Sequence, residues 1–208
     1  RGRNEINTVP PLPEGGIGGV GALFGIVQGG THEDLRQRSV EGLLKIGFDG
    51  YAIGGLAVGE SREDTYRLAK FVADQLPADK PRYFMGTGMP EEIVYYVHCG
   101  IDMFDCVIPT RNARHGTVFV WVQDPKLVDW NSNTKDFYQK LRISGSEHRW
   151  SEEPLDRFCD CETCQTVSRA YIRYLFSVDE ILALRLCTVH NVRFYLRLME
   201  ALREFIHS

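Results

Sequence analysis

Two clusters of residues in this chain could do chemistry. The first is Gly100-Ile101-Asp102-Met103-Phe104-Asp105-Cys106-Val107-Ile108-Pro109-Thr110-Arg111-Asn112-Ala113-Arg114-His115-Gly116. An apolar run of strand length carries two carboxylates, Asp102 and Asp105, and is stopped by Pro109. A polar loop follows in which Arg111, Arg114 and His115 stand close together. A carboxylate at the end of a buried strand costs free energy unless it is paired or chemically useful, and a basic loop beside it suits an anionic partner. Two readings stay open on these residues: a nucleophile next to a phosphate grip, or a strand-end aspartate that caps the next element.

The second cluster is Cys159-x-Cys161-x-x-Cys164, followed by Cys187 and His190. Three thiolates and one further ligand make a tetrahedral set for zinc, and Cys187 and His190 both compete for the fourth place. Four protein ligands leave no position for water, so such a zinc is structural and ties the tail helices to the loop. No export pattern opens the chain, so this spacing reads as metal binding rather than disulfides. Cys99 and Cys106 lie in an apolar stretch and read as buried thiols.

The elements that must position these residues follow a repeated pattern. Ala22 to Gln28 is a predicted strand, followed by Gly29-Gly30 and a helix over about Glu33 to Ile46. Thr31 and Asp34 form its expected capping box, and Leu35, Leu43 and Leu44 its inward face. Gly50 to Leu56 is a second strand, and Ser61 and Asp64 cap a second helix that turns Leu68, Phe71, Val72 and Leu76 inward. Arg82 to Gly86 is a third, with a helix from Pro90 to Gly100; Asp102 to Val107 supplies a fourth. Strand, glycine-rich loop and helix repeated with short links imply parallel strands with helices outside. Functional groups then gather at the carboxyl ends of the strands, where Gln28, Gly54-Gly55, Met85 and Asp105 all fall. This convergence favours a site over a cap.

Residues 1–21 are rich in Gly and Pro and read as an irregular lead-in. Residues 22–116 hold the four βα units. Residues 117–150, with Trp121, Trp130 and Trp150, read as a hairpin or insertion; residues 151–208 hold the cysteine cluster and terminal helices. In the last helix, about Asn191 to Ile206, an apolar stripe of Val192, Tyr195, Leu198, Met199, Leu202, Phe205 and Ile206 is core packing. With 208 residues and 43% hydrophobic content the chain can bury a core as one domain plus an appendage. A net charge of −4 argues against a protein that coats nucleic acid generally, though not against a local basic patch. No apolar run reaches the length of a membrane span, so no membrane is expected.

At this level the motifs become recognisable. F-G-I-V-Q-G-G (24–30), G-G-L-A-V-G-E (54–60), M-G-T-G-M-P-E-E (85–92), D-M-F-D-C-V-I-P-T-R-N-A-R (102–114) and C-x-C-x-x-C…H-N closely resemble the tRNA-guanine transglycosylases (queuine tRNA-ribosyltransferases). The resemblance covers most of residues 22–208 in order. It implies an α/β TIM barrel of which this chain is the C-terminal half, strands five to eight, with a zinc-binding subdomain and C-terminal helices. It also implies an enzyme of queuosine biosynthesis. Guanine at the wobble position of certain tRNA anticodons is exchanged for a 7-deazaguanine, through a covalent link between an aspartate and the ribose. Retaining glycosidases use a carboxylate in the same way.

Residue by residue, the resemblance makes Asp105 the nucleophile, while Asp102 points to the other face of a regular strand and reads as structural. Gln28 reads the base edge, Gly54 and Gly55 let the backbone approach the base, Leu56 places a carbonyl by the aminomethyl group, and Met85 packs on the base face. Gly86, Thr87, Gly88, Met89, Pro90, Glu91 and Glu92, with Thr110, Arg111, Asn112, Ala113 and Arg114, match RNA-contacting loops. A base must leave its stack to expose the glycosidic bond, which is why a pocket is needed. The resemblance also selects His190 over Cys187 to complete the zinc set with Cys159, Cys161 and Cys164. Val58 matches bacterial members and favours 7-aminomethyl-7-deazaguanine over bulkier queuine. A cytoplasmic homodimer acting on tRNA is implied as well. The family's first four strands, with its second essential aspartate, have no counterpart here, so the isolated chain is expected to be inactive. A non-catalytic tRNA-binding accessory subunit of the same family is the alternative, and loss of Asp105 or Gln28 would have favoured it.

Overall fold

The structure, a computed structural model, describes residues 21–131 and 135–207, so the lead-in expected over residues 1–21 lies outside the described residues except for Gly21. The chain divides into two units, one of Arg1–Thr87 with Tyr96–Asp105, the other of Gly88–Tyr95 with Cys106–Ser208.

Four strands form the sheet of the first unit: β1 (Phe24–Val27), β2 (Gly50–Ile53), β3 (Arg82–Phe84) and β4 (Met103–Phe104). They lie in the order β1-β2-β3-β4, every pair parallel, with Phe24 opposite Gly50, Tyr51 opposite Arg82, and Phe84 opposite Phe104. Parallel neighbours need crossovers, and these are α1 (Glu33–Ile46), α2 (Arg62–Ala73) and α3 (Pro90–His98). All four residues of β2 are buried, as a strand covered on both faces requires. In β1, at the sheet edge, Ile26 is exposed while Val27 is buried. Val27, Ile53, Leu68, Val72 and Phe84 are fully buried in this unit, and Tyr96 meets Phe84 edge-on at 4.7 Å between ring centres.

Local expectations held unevenly here. The Ser61 hydroxyl accepts the Asp64 N–H at 3.1 Å and caps α2 as the sequence pattern requires. Helix α1 instead begins after His32, with no side-chain cap, and the His32 N–H donates to the Gly29 carbonyl. Leu35 and Leu44 are exposed, and α1 buries Arg36 and Val40. The helix has turned a cation inward, toward the glycine loops, and its leucines outward.

In the second unit β5 (Thr117–Trp121) and β6 (Tyr138–Arg142) make an antiparallel hairpin. The helices are α4 (Ile108–Arg114), α5 (Glu162–Thr166), α6 (Arg169–Ser177) and α7 (Ile181–His207). The stretch read as a polar loop after Pro109 is therefore α4. Proline is tolerated in its first turn because the N–H there has no helical partner to lose. β4 is correspondingly shorter than the expected span to Val107. Helix α4 packs on α7 and belongs to the second unit. Helix α7 starts ten residues before the expected Asn191, with no Gly or Pro across its length. Ala183, Cys187, His190, Asn191, Phe194, Leu198, Ala201 and Leu202 are buried at helical spacing, whereas Val192 and Ile206 are exposed. Its inner face is thus rotated from the stripe read in the sequence. Trp121 and Trp130 are buried, with the Trp121 ring tilted against Phe194 at 4.4 Å between centres, while Trp150 is 82% exposed. Cys99 and Cys106 are half-buried rather than core thiols. Among the described residues no helix is long and apolar enough to cross a membrane.

Candidate active site and metal centre

Asp105 lies just past the carboxyl end of β4 and is exposed, so it does not bear the burial cost that a carboxylate inside the strand would. Its Oδ1 accepts the Tyr83 hydroxyl at 2.5 Å and the Gly86 N–H at 2.9 Å. Oδ2 has no hydrogen-bond partner among the described residues. Two donors on one oxygen fix the carboxylate and leave the other oxygen available. The hydrogen bond to Asp105, helped by desolvation, pushes the Tyr83 phenol up to about 12, so it donates throughout the neutral range. Gly86 has φ of 79°, a left-handed backbone that turns its N–H toward Asp105 at low cost only for glycine. Asp102 is used differently. Its carboxylate accepts the Arg82 N–H at 2.8 Å and its own N–H donates to the Arg82 carbonyl at 2.9 Å, closing the β3–β4 ladder.

Next along the sheet, Gln28 follows β1 and the Gly54-Gly55 turn follows β2. A Cβ on Gly54 would fall 2.7 Å from Gln28 Nε2, and one on Gly55 would collide with Gln28 Oε1. Both glycines thus let the Gln28 amide lie against the β2 loop. Leu56 is buried, Met85 is half-buried, and Val58 is 82% exposed.

Two residues here escaped sequence reasoning. Glu60 accepts the Ala57 N–H at 2.5 Å, the Val58 N–H at 3.2 Å and the Thr65 hydroxyl at 2.6 Å. Desolvation opposes its charge, but these donors outweigh it and hold the carboxyl below its ordinary value. It closes the loop in which Ala57 adopts φ of 60°. Its signal was its place at the end of G-G-L-A-V-G-E. The other is Arg36, which lies within helix α1 and is buried.

In the second unit Arg111 and Arg114 are exposed on α4, three residues apart and so on one side of it, with no ion-pair partner among the described residues. Thr110 and Asn112 are half-buried, and the Asn112 amide donates to the Ile108 carbonyl. Ala113 is fully buried, so its side chain is packing rather than contact surface. Gly88 and Pro90 are buried too, and Gly88 is required because a Cβ would run into the Cys106 sulfur. The Gly88 carbonyl accepts the Tyr195 hydroxyl at 2.7 Å. Glu92 accepts the Met89 N–H at 3.2 Å, and Glu91 accepts the Tyr138 hydroxyl at 2.6 Å. Thr87, the last residue of the first unit's main segment, is 3% exposed. Among these motif positions the arginines of α4 are the ones that present free charge.

Cys159, Cys161, Cys164 and His190 each offer one ligand atom, all within 4.8 Å of one another and all buried. His190 Nδ1 is 3.3 Å from the Cys164 sulfur and 3.8 Å from the Cys161 sulfur. Ligands on a tetrahedral zinc with 2.3 Å Zn–S bonds stand about 3.8 Å apart. The other ring nitrogen, Nε2, is 2.7 Å from the Phe119 carbonyl oxygen, which can only accept. The proton therefore sits on Nε2, and the Nδ1 lone pair faces the sulfurs, the tautomer a metal ligand needs. Hydrogen bonding from Cys159 and Cys164 holds the Cys161 thiol below its ordinary value. Cys187 is also buried nearby, but burial pushes its thiol up to about 12, and it stands outside the ligand group. The donor set and the geometry fit a metal such as zinc.

The fold and sites define an α/β protein with an accessible carboxylate at a strand's carboxyl end and, in a separate unit, a Cys3His cluster. The sequence model of the queuine tRNA-ribosyltransferase family matches residues 16–208. A curated protein of Psychrobacter cryohalolentis named queuine tRNA-ribosyltransferase is 50% identical over 192 residues, covering 92% of this chain and 47% of that relative. The chain belongs to the queuine tRNA-ribosyltransferase family. It spans about half the length of the curated relative it matches.

Proposed function

We propose that this chain is the C-terminal half of a bacterial-type tRNA-guanine transglycosylase, its four parallel strands being strands five to eight of a (β/α)8 barrel. The observation that carries the reading is the setting of Asp105: an exposed carboxylate, one oxygen held by Tyr83 and Gly86, the other free, on the same strand ends as the Gln28 amide. Asp105 Oδ2 attacks the ribose anomeric carbon of the wobble guanosine as the bond to guanine breaks. The incoming 7-aminomethyl-7-deazaguanine then displaces the carboxylate from the opposite side, so two inversions preserve the configuration. Gln28, Gly55 and Leu56 meet the base, Met85 covers its face, and Arg111 and Arg114 contact the tRNA backbone or bases. The zinc on Cys159, Cys161, Cys164 and His190 is structural.

Departing guanine needs a proton donor that the described residues do not place beside Asp105. The isolated chain is therefore inactive, and the full-length protein acts as a cytoplasmic homodimer. In a full-length protein carrying this segment, Asp105→Asn abolishes the covalent RNA adduct that the native protein shows on a denaturing gel. Persistence of the adduct refutes the assignment. Exchange of labelled guanine by the isolated chain refutes its inactivity.

A further inference from the structure

Among the described residues of the first unit Arg36 is the fully buried cation, and no proposed step uses it. Its side chain reaches from α1 into the two glycine loops at the carboxyl ends of β1 and β2. Nε donates to the Gly30 carbonyl at 2.7 Å, and Nη2 donates to the carbonyls of Gly54 at 3.1 Å and Gly55 at 3.0 Å. The loop after β1 lies directly against Arg36, since a Cβ on Gly29 would fall 2.7 Å from its backbone nitrogen and 2.8 Å from its Cγ. Nη1 is buried without a hydrogen-bond partner among the described residues. A core that wanted only packing would not keep a guanidinium with an unmet donor there.

We infer that Arg36 is a positioning residue that sets the direction of the Gly55 and Leu56 N–H groups and thereby the base-reading edge of the site. The inference rests on the reading in which Gln28 and Gly55 meet the base. In a trans peptide the carbonyl and the following N–H point in opposite directions across one rigid plane. By drawing the Gly54 carbonyl toward α1, Arg36 turns the Gly55 N–H away from α1; by holding the Gly55 carbonyl it does the same for the Leu56 N–H. Gly55, at φ of 63°, has no intrinsic preference that would fix this orientation. Something outside the loop must choose it, and the guanidinium is the group touching both carbonyls. A lysine cannot substitute. Its ammonium is a point charge without the planar fork that spans Gly30 on one loop and Gly54-Gly55 on the other.

The test uses a full-length protein carrying this segment, with Arg36→Lys and Arg36→Ala compared against the native residue in guanine-exchange kinetics. Both variants raise the KM for the base by about tenfold or more, the loss expected when charge-assisted bonds no longer hold the loop, and leave the KM for tRNA unchanged. Ethylguanidinium restores base affinity to Arg36→Ala but not to Arg36→Lys. The Gly55 amide resonance moves in both variants. An unchanged base KM in folded Arg36→Lys overturns the inference, as does an equal rise in both KM values or an unmoved Gly55 resonance. If Arg36→Ala does not fold, Arg36→Lys and the Gly55 resonance decide. Absence of exchange by the native protein refutes instead the functional reading on which this rests.

Discussion

Asn191 offers the sharpest test of how the second unit is built. It is fully buried beside the candidate metal ligand His190, and its side chain makes three hydrogen bonds. Oδ1 accepts the Phe119 N–H at 3.1 Å, and Nδ2 donates to the carbonyls of Pro109 at 2.9 Å and Thr117 at 3.1 Å. One amide thus joins α7 to the start of α4 and to β5. Asn191→Ala removes one hydrogen bond from each of three backbone groups, two of them at buried contacts, at about 1–3 kcal/mol each. Relaxation and the second lone pair of each carbonyl favour the lower end, so we expect a loss of about 3–6 kcal/mol, against a typical total of about 5–15 kcal/mol. Asn191→Asp keeps the acceptor for Phe119 but sets a carboxylate against two carbonyl oxygens, so its folded-state pKa is raised. A raised carboxyl destabilises above its unfolded value and is relieved as pH falls through the folded value. Asn191→Asp therefore loses more stability at pH 7 than near pH 4, each measured by urea unfolding against the native protein at the same pH. Hydrogen exchange in residues 108–119 rises in both variants before global unfolding. A cost below about 1 kcal/mol for Asn191→Ala, or a pH-independent deficit for Asn191→Asp, would show that other contacts carry the joint.

Three further outcomes are expected. The Tyr83–Asp105 bond raises the phenol from 10.0 to about 12, so its stabilisation is full below pH 10 and is lost as pH rises toward 12; an alkaline phenolate titration lacks this late tyrosine in Tyr83→Phe. On the proposed reading, removing zinc withdraws about 10–16 kcal/mol of coordination, more than a domain's usual stability, so chelation melts the helices of the second unit and exposes its cysteines to thiol reagents; an unchanged thermal midpoint after verified metal loss refutes a structural role. Gly54→Ala crowds Gln28 and Ile26, costs about 1–3 kcal/mol, and lowers affinity for the base while tRNA affinity measured by gel shift stays constant.

Legibility in the sequence followed physical locality. The alternation of strand, glycine turn and helix was readable because each element carries its own pattern, and Ser61 announced the start of α2 by its own hydroxyl. The Cys3His set was readable because three ligands lie within six residues, but the spacing alone could not choose between Cys187 and His190. That choice depends on which α7 side chain has a second polar partner, and Phe119 supplies it from a distant strand. Helix α4 was missed because proline and arginines look like loop, although proline suits a first turn. The inward leucines of α1 were misplaced because the helix face was judged by hydrophobicity. What α1 actually buries is a guanidinium whose partners are backbone carbonyls on other segments, and such partners leave no side-chain signature.

The same non-local bonding explains why the proposed site is spread over four strand ends instead of concentrated in one motif. Gln28, Gly54-Gly55, Met85 and Asp105 follow β1, β2, β3 and β4 in spatial order. Parallel neighbours stand about 4.8 Å apart, so three spacings separate the first strand end from the last by about 14 Å in a flat sheet, less in a curved one. A flat base and the ribose carbon beyond it fill that span on the proposed reading. On the proposed reading, β1 and β2 hold the groups that recognise the base, β3 covers its face and orients the nucleophile through Tyr83, and β4 supplies the nucleophile. The division requires both ends to be rigid, because an error in either displaces the anomeric carbon from Asp105. Each end has its own brace: Arg36 fastens the loops after β1 and β2, and Tyr83 with Gly86 fastens Asp105. Loosening the first should weaken base binding, whereas loosening the second should slow adduct formation at saturating base, so Arg36→Lys and Tyr83→Phe separate in KM and kcat.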